Sequence, residues 1–298
     1  MDLCTFKECS SLKKVKFNEG LTVIGAEAFL ETALEEITLP NSVLEIGNTA
    51  FGKCKSLSDV KLSENLKEIG VGAFFKTAIK RIEVPESVTE IPGVMLADCE
   101  ELKEVKLPKK LKVIGGSAFQ GTGIKEIEIP QFVTKIGDSA FRGSKLTKII
   151  LPQKLQFLGE YAFLGTKLEE IEIPENLEVI NKETFYNCGR LKRVKLNDGL
   201  VKIGEMAFKN TPIEEIEIPK TVETIESQAF MNCSYLENVS LNEGLKGIGS
   251  FAFAETGLKR VVLPNSMGKM YFNSFDRKTC EVLNTGNVKE VVENSIFR

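Results

Sequence analysis

The sequence predicts a repeat solenoid of the α/β class, and three observations predict it. A phenylalanine returns at Phe6, Phe29, Phe51, Phe74, Phe119, Phe141, Phe163, Phe185, Phe208, Phe230, Phe253 and Phe275, with Leu96 in the one gap, always after 22 or 23 residues. A fixed period of that size marks stacked supersecondary units. Each period carries a short apolar alternation that commonly ends in proline, as in Leu34 to Pro40, and most carry an Ile-Gly pair, such as Ile46-Gly47, before the next Ala-Phe. A chain of 298 residues suggests two globular domains by length, but an array has no single core and grows by stacking. Residues 1–277 are therefore read as one solenoid of about 12 to 13 coils, and 278–298 as a degenerate last coil or C-terminal cap.

Within one coil, Ile37, Thr38 and Leu39 alternate as a strand with one face inward. Pro40 ends it, because proline has no N–H for a central ladder. Val43 and Ile46, three apart, suit a tight helical or turn-like return, and Gly47 permits a bend that side chains resist. Ala50 and Phe51 plug the far side. Leu34, Ile37, Leu39, Val43, Ile46, Ala50 and Phe51 then point inward, more apolar surface than one coil can bury alone. One short strand per 22–23-residue coil and one long parallel sheet are expected.

The interval length varies in one place, between the Phe and the next strand. Six positions separate Phe51 from Leu57, five separate Phe74 from Ile79, and the six-spaced coils carry cysteine at Cys9, Cys54, Cys99, Cys188 and Cys233. Elsewhere that place holds Thr or Ser, as at Thr32 and Ser144, so it takes a small buried side chain with a weak hydrogen bond. The closest of these cysteines lie two coils apart, roughly 9 to 10 Å at the spacing of parallel strands, too far for a disulfide or a shared metal. Neither is expected.

Composition narrows the function classes. The chain has no histidine, which excludes mechanisms that need an imidazole. A net charge of −3 points to no nucleic-acid or anionic-membrane partner. No apolar run reaches the length of a membrane span, and Met1-Asp2-Leu3 does not begin like a signal peptide. Met1 stands at the Ile place of the repeat, so the chain opens inside a coil and reads as a fragment. At the other end the pattern fades after Phe275, with Val288, Val291 and Phe297 as a faint further coil. Asn181 and Glu226 replace the Gly, and Ile91-Pro92 with Met95-Leu96 replaces Ile-Gly and Ala-Phe; structural tolerance is expected there. Asn232-Cys233-Ser234 and Asn238-Val239-Ser240 match the glycosylation acceptor pattern.

The outward strand position reads Lys61, Glu83, Lys106, Glu128, Ile150, Glu172, Lys195, Glu217 along successive coils. Stacked roughly 4.8 Å apart, alternating charges attract and help fix register. The candidate binding face is Lys106, Glu128, Ile150, Glu172 and Lys195, with Ile150 breaking the charge order. No catalytic, cofactor or metal residues are assigned, and no cofactor is expected.

The motif Leu-x-x-Ile-x-Leu-Pro-x-x-Val-x-x-Ile-Gly-x-x-Ala-Phe-x-x-Cys, read from Leu34 to Cys54, resembles the BspA-like, or Treponema pallidum type, leucine-rich repeat family. The resemblance covers nearly the whole chain. It implies a right-handed curved leucine-rich-repeat array, without catalytic residues in the repeat, in a surface-exposed or secreted protein that binds host proteins or other cells. A non-enzymatic protein-binding or adhesion module, partnered by host extracellular-matrix or cell-surface protein, is the leading expectation. An intracellular interaction scaffold is the alternative, suited to thiols that look reduced and to the start of the chain; a cytoplasmic location stays open. A polysaccharide-active parallel β-helix enzyme would need carboxylates gathered over a groove, whereas here they spread evenly through the coils.

Overall fold

The computed structural model describes residues 1–276, 278–284 and 290–292, in two compact units, Met1–Lys154 and Leu155–Arg298. Both are stacks of coils, and each regular coil contributes two short strands. In the first unit the leading strand of a coil is three residues long, as in Glu36–Thr38, exposed at both ends and buried at Ile37. The trailing strand is two residues long, as in Glu45–Ile46. All pairings are parallel.

Two expectations are corrected here. Among the described residues there is no helix. The return from Pro40 to Ile46 is too short to satisfy itself by i→i−4 bonds. Val43 N–H donates to Pro40 at 3.0 Å in a single turn, while Leu44 and Gly47 donate to Thr22 and Ile24 of the preceding coil, each at 2.8 Å. The return therefore becomes a second strand. The expected single sheet is likewise replaced by separate ladders. Trailing strands line up over several coils: Val23–Ile24, Glu45–Ile46 and Glu68–Ile69 in the first unit, and Val179–Ile180, Lys202–Ile203, Thr224–Ile225 and Gly247–Ile248 in the second.

Leading strands pair only in twos. In the first unit the pairs are Glu36–Thr38 with Asp59–Lys61, Arg81–Glu83 with Glu104–Lys106, and Glu126–Glu128 with Lys148–Ile150. In the second they are Glu170–Glu172 with Arg193–Lys195, Glu215–Glu217 with Asn238–Ser240, and Arg260–Leu263 with Glu281–Asn284. Most pairs span a six-position link. In such a link the extra residue closes one more turn, Leu57 N–H to Cys54 carbonyl at 3.0 Å and Leu191 N–H to Cys188 at 2.9 Å, just before the strand starts.

Opposite the strands, the chain from Gly25 to Thr32 runs through overlapping turns. Ala28, Leu30 and Thr32 donate to Gly25, Glu27 and Phe29 in their own coil, at 3.3, 3.1 and 3.2 Å. The alternate N–H groups of Glu27, Phe29 and Glu31 reach the next coil, at Asn48, Ala50 and Gly52. This corner is thereby hydrogen-bonded both within its own coil and to the next. The geometry requires left-handed backbone twice per coil, at Glu27 (φ 55°) and Glu31 (φ 60°) here, and even at the β-branched Thr49 (φ 51°) and Val94 (φ 61°). Such residues resist that conformation, so the stack of coils must impose it.

The seven side chains expected inside are inside: Leu34, Ile37, Leu39, Val43, Ile46, Ala50 and Phe51 are all buried. Phe29, Phe51 and Phe74 stack with centroids 5.2 and 5.4 Å apart and rings within 2° of parallel. In the second unit Phe163, Phe185, Phe208, Phe230, Phe253 and Phe275 continue the arrangement. Parallel rings at that separation are offset, the favourable stacking geometry. Leu96 fills its gap fully buried. The Ile-Gly glycine is a matter of coil spacing: a Cβ on Gly70 would lie 2.3 Å from the backbone nitrogen of Asn48. Where asparagine or glutamate replaces the glycine, the side chain bonds the preceding coil. Asn181 donates to the Leu158 carbonyl at 2.7 Å, and Glu226 accepts from Glu205 N–H at 3.1 Å while pairing with Lys202.

At the far end, Glu290–Val292 extends the trailing ladder beside Lys269–Tyr271. Val288 and Phe297 of the expected faint coil lie outside the described residues, whereas Val291 belongs to that strand.

Candidate interaction face

Side chains alternate across a strand, so each three-residue leading strand presents its first and third residues on the same outward face. The face therefore carries two rows of side chains. Sequence reasoning found the second row, Lys61, Glu83, Lys106, Glu128 and Ile150 in the first unit. It missed the first row, Asp59, Arg81, Glu104, Glu126 and Lys148, although the period-two alternation that exposes one exposes the other.

The expected continuous charge ladder is corrected to isolated pairs. Lys106 is hydrogen-bonded to Glu83 within one strand pair, which raises its pKa through that bond and the adjacent negative charge. In the second unit Lys195 meets Glu172 at 2.6 Å and Arg193 meets Glu170 at 2.8 Å, again across one strand pair, with the same upward effect on both bases. Lys61, Arg81, Glu104, Glu126, Glu128, Lys148 and Glu217 have no ion-pair partner among the described residues, although Arg81 with Glu104 and Glu126 with Lys148 are register partners within one strand pair. The pairing of strands in twos accounts for Lys106, which has Glu83 across its own strand pair and no hydrogen-bonded strand on the side of Glu128.

The five sequence candidates thus fall into different surroundings. Lys106, Glu128 and Ile150 stand on the face of the first unit, where Glu128 and Ile150 are register partners. Glu172 and Lys195 stand in the second unit and neutralise each other. Ile150 is 75% exposed, more than any other large apolar residue described. It borders an open groove of about 1450 Å³ over the leading strands of the first unit, walled by Lys61, Arg81, Glu104, Glu126 and Lys148 and ending at Gln153.

The thiols and carboxylates elsewhere offer little for chemistry. Cys54, Cys99, Cys188 and Cys233 are buried, and each donates to the carbonyl of the Phe one coil back, Cys54 to Phe29 at 3.0 Å and Cys188 to Phe163 at 3.1 Å. Burial pushes the Cys188 and Cys233 thiols up to about 11, so they stay protonated and poor nucleophiles. Cys9, read from sequence as one of this packing set, is exposed instead; the threonine and carbonyl that enclose the other thiols belong to the coil before, and no described coil precedes it. Among the described residues no group of three or more acidic, cysteine or histidine side chains could hold a metal ion. No described helix is long and apolar enough to cross a membrane.

Comparison with known proteins agrees with this architecture. The model of the BspA type leucine rich repeat region matches residues 2–103, 94–188 and 157–283. Among solved structures, a leucine-rich repeat protein from Bacteroides ovatus is 29% identical over 96% of this chain and 75% of its own, with a TM-score of 0.83. The pneumococcal vaccine antigen PcpA is 18% identical over 99% of this chain and 92% of its own, with a TM-score of 0.65. A leucine rich cell surface protein from Faecalibacterium prausnitzii is 23% identical over 94% of this chain and 89% of its own, with a TM-score of 0.56. The last two likenesses are of fold. No curated protein matches the chain.

Proposed function

We propose, since the chain belongs to the BspA type leucine-rich repeat family, that it is a non-catalytic protein-binding or adhesion module of a surface-exposed or secreted protein, with a host extracellular-matrix or cell-surface protein as partner. One observation carries this reading: a broad groove on a rigid strand face, with an isoleucine 75% exposed among unpaired charges. Scattered exposed aliphatics are ordinary, but one bordering a groove beside the unpaired carboxylate of Glu128 supplies both an apolar contact and orienting charge. The leucine rich cell surface protein among the structural neighbours supports that location. Seven free cysteines favour the intracellular scaffold as second reading.

The test is surface plasmon resonance of the immobilised full chain against a panel of purified extracellular-matrix and cell-surface proteins, beside a Glu128→Lys variant. Saturable binding to at least one protein, weakened in the variant, is expected. Absence of saturable binding to every member would overturn the adhesion reading.

A further inference from the structure

The coils 104–106, 126–128 and 148–150 place six side chains on one face: Glu104, Lys106, Glu126, Glu128, Lys148 and Ile150. Lys106 is occupied by Glu83. Three carboxylates, at Glu104, Glu126 and Glu128, then share the patch with one unpaired amine, Lys148, and none of the three has an ion-pair partner among the described residues. Glu104 and Glu126 are neighbours in one row. Glu126 and Glu128 are neighbours on one strand. Like charges set side by side on a sheet repel; Glu104 faces Arg81 and Glu126 faces Lys148 in register without an ion pair, whereas Glu128 faces no base across its strand pair. Ile150, the register partner of Glu128, closes the patch with an apolar side chain where the row would otherwise place a base.

We propose that this patch receives a protein segment that sets a lysine or arginine between Glu126 and Glu128 and an adjacent aliphatic side chain against Ile150. The inference rests on the protein-binding reading above and adds the chemistry of the partner. An incoming cation gains Glu128, which faces no base across its strand pair, and Glu126, whose register partner Lys148 makes no ion pair with it; Glu128 and Ile150 lie roughly 5 Å apart between coils, a spacing that a basic residue and its neighbour or next-but-one in an extended segment can match. An acidic segment would meet the same carboxylates with repulsion, which is how charge excludes wrong partners. The apolar contact adds affinity that salt does not screen.

The test uses the full chain and three fluorescein-labelled peptides of equal length, alternating Lys with Leu, Glu with Leu, and Lys with Ser, followed by fluorescence anisotropy. The Lys/Leu peptide is expected to bind best. It should bind about tenfold more weakly to the Glu126→Gln, Glu128→Gln double variant and several-fold more weakly to Ile150→Ser, with circular dichroism unchanged because all three side chains are exposed. Glu215→Gln with Glu217→Gln, on the strand face of the second unit, should leave binding as it was. Equal binding of the Glu/Leu and Lys/Leu peptides, undiminished binding to the double variant, or no binding of any peptide would overturn the inference. Saturable capture of a matrix protein in the same preparations would show that the broader function survives that failure.

Discussion

The Sγ of Cys233 lies 3.3 Å from the Oγ1 of Thr211, across the boundary between two coils. The threonine hydroxyl already donates to the Phe208 carbonyl of its own coil at 2.7 Å, and the thiol approaches the same carbonyl at 3.2 Å. Thr32 with Cys54, Thr77 with Cys99, and Thr166 with Cys188 repeat the contact of hydroxyl with thiol. A buried Phe carbonyl thus takes two donors, one from its own coil and one from the next, and the alternation of Thr and Cys along the chain is the alternation of those two roles.

Burial raises the Cys188 and Cys233 thiols from 9.0 to about 11. The protonated form is the one the fold favours, so its stabilisation is fully present below pH 9 and is lost as pH rises toward about 11. Each thiol should contribute on the order of 2 to 3 kcal/mol to that loss. Urea unfolding at a series of pH values should show a steeper decline between pH 9 and 11 for the parent than for Cys188→Thr with Cys233→Thr, which cannot ionise. Parallel declines would contradict the burial of these thiols.

Ser144 occupies the same place in a coil, and its Oγ is buried with no hydrogen-bond partner among the described residues. Removing an unsatisfied buried hydroxyl recovers its desolvation cost. Ser144→Ala should stabilise the protein by about 1 kcal/mol, read as a higher urea midpoint; a lower midpoint would show that the hydroxyl is bonded in solution.

Phe51 lies between Phe29 and Phe74 and has no exposed surface. Phe51→Ala should cost about 3 to 5 kcal/mol as an unfilled cavity. An unfolding curve that overlays the parent's would show that the phenyl column is not a structural core.

Two glycines should respond in opposite ways. A methyl on Gly70 would meet the backbone of Asn48 at 2.3 Å, and Gly70→Ala should destabilise by roughly 1 to 3 kcal/mol as overpacking. Gly143 has φ +66° and open space around its Cα, and asparagine holds the corresponding left-handed place at Asn187, Asn210 and Asn232. Gly143→Asn should therefore leave stability within about 0.5 kcal/mol of the parent. Calorimetric melting of both variants checks the contrast.

The core was legible in the sequence because burial here is a property of the period. A side chain such as Leu34 or Phe51 that recurs every 22 or 23 residues must face its own copies, and only an apolar side chain can do so. The six-position link at Cys54 was legible for the same reason, since one inserted residue shifts everything after it. The second strand was not legible. Val43 and Ile46 are three apart, a spacing that suits a helical turn as well as a return strand, and only the donors of Leu44 and Gly47, reaching Thr22 and Ile24, decide between them.

The charged face divides in the same way. The sequence by itself determined that Lys106, Glu128 and Ile150 stand outward in neighbouring coils, because alternation along a strand assigns faces without reference to anything distant. Only the tertiary structure decided which charges neutralise each other. Lys106 has a carboxylate one coil away on either side, and the twofold grouping of the strands gives it to Glu83 and leaves Glu128 open. Periodicity sets direction, but pairing depends on the distance between charges on neighbouring coils, and that is fixed by how successive coils turn against one another.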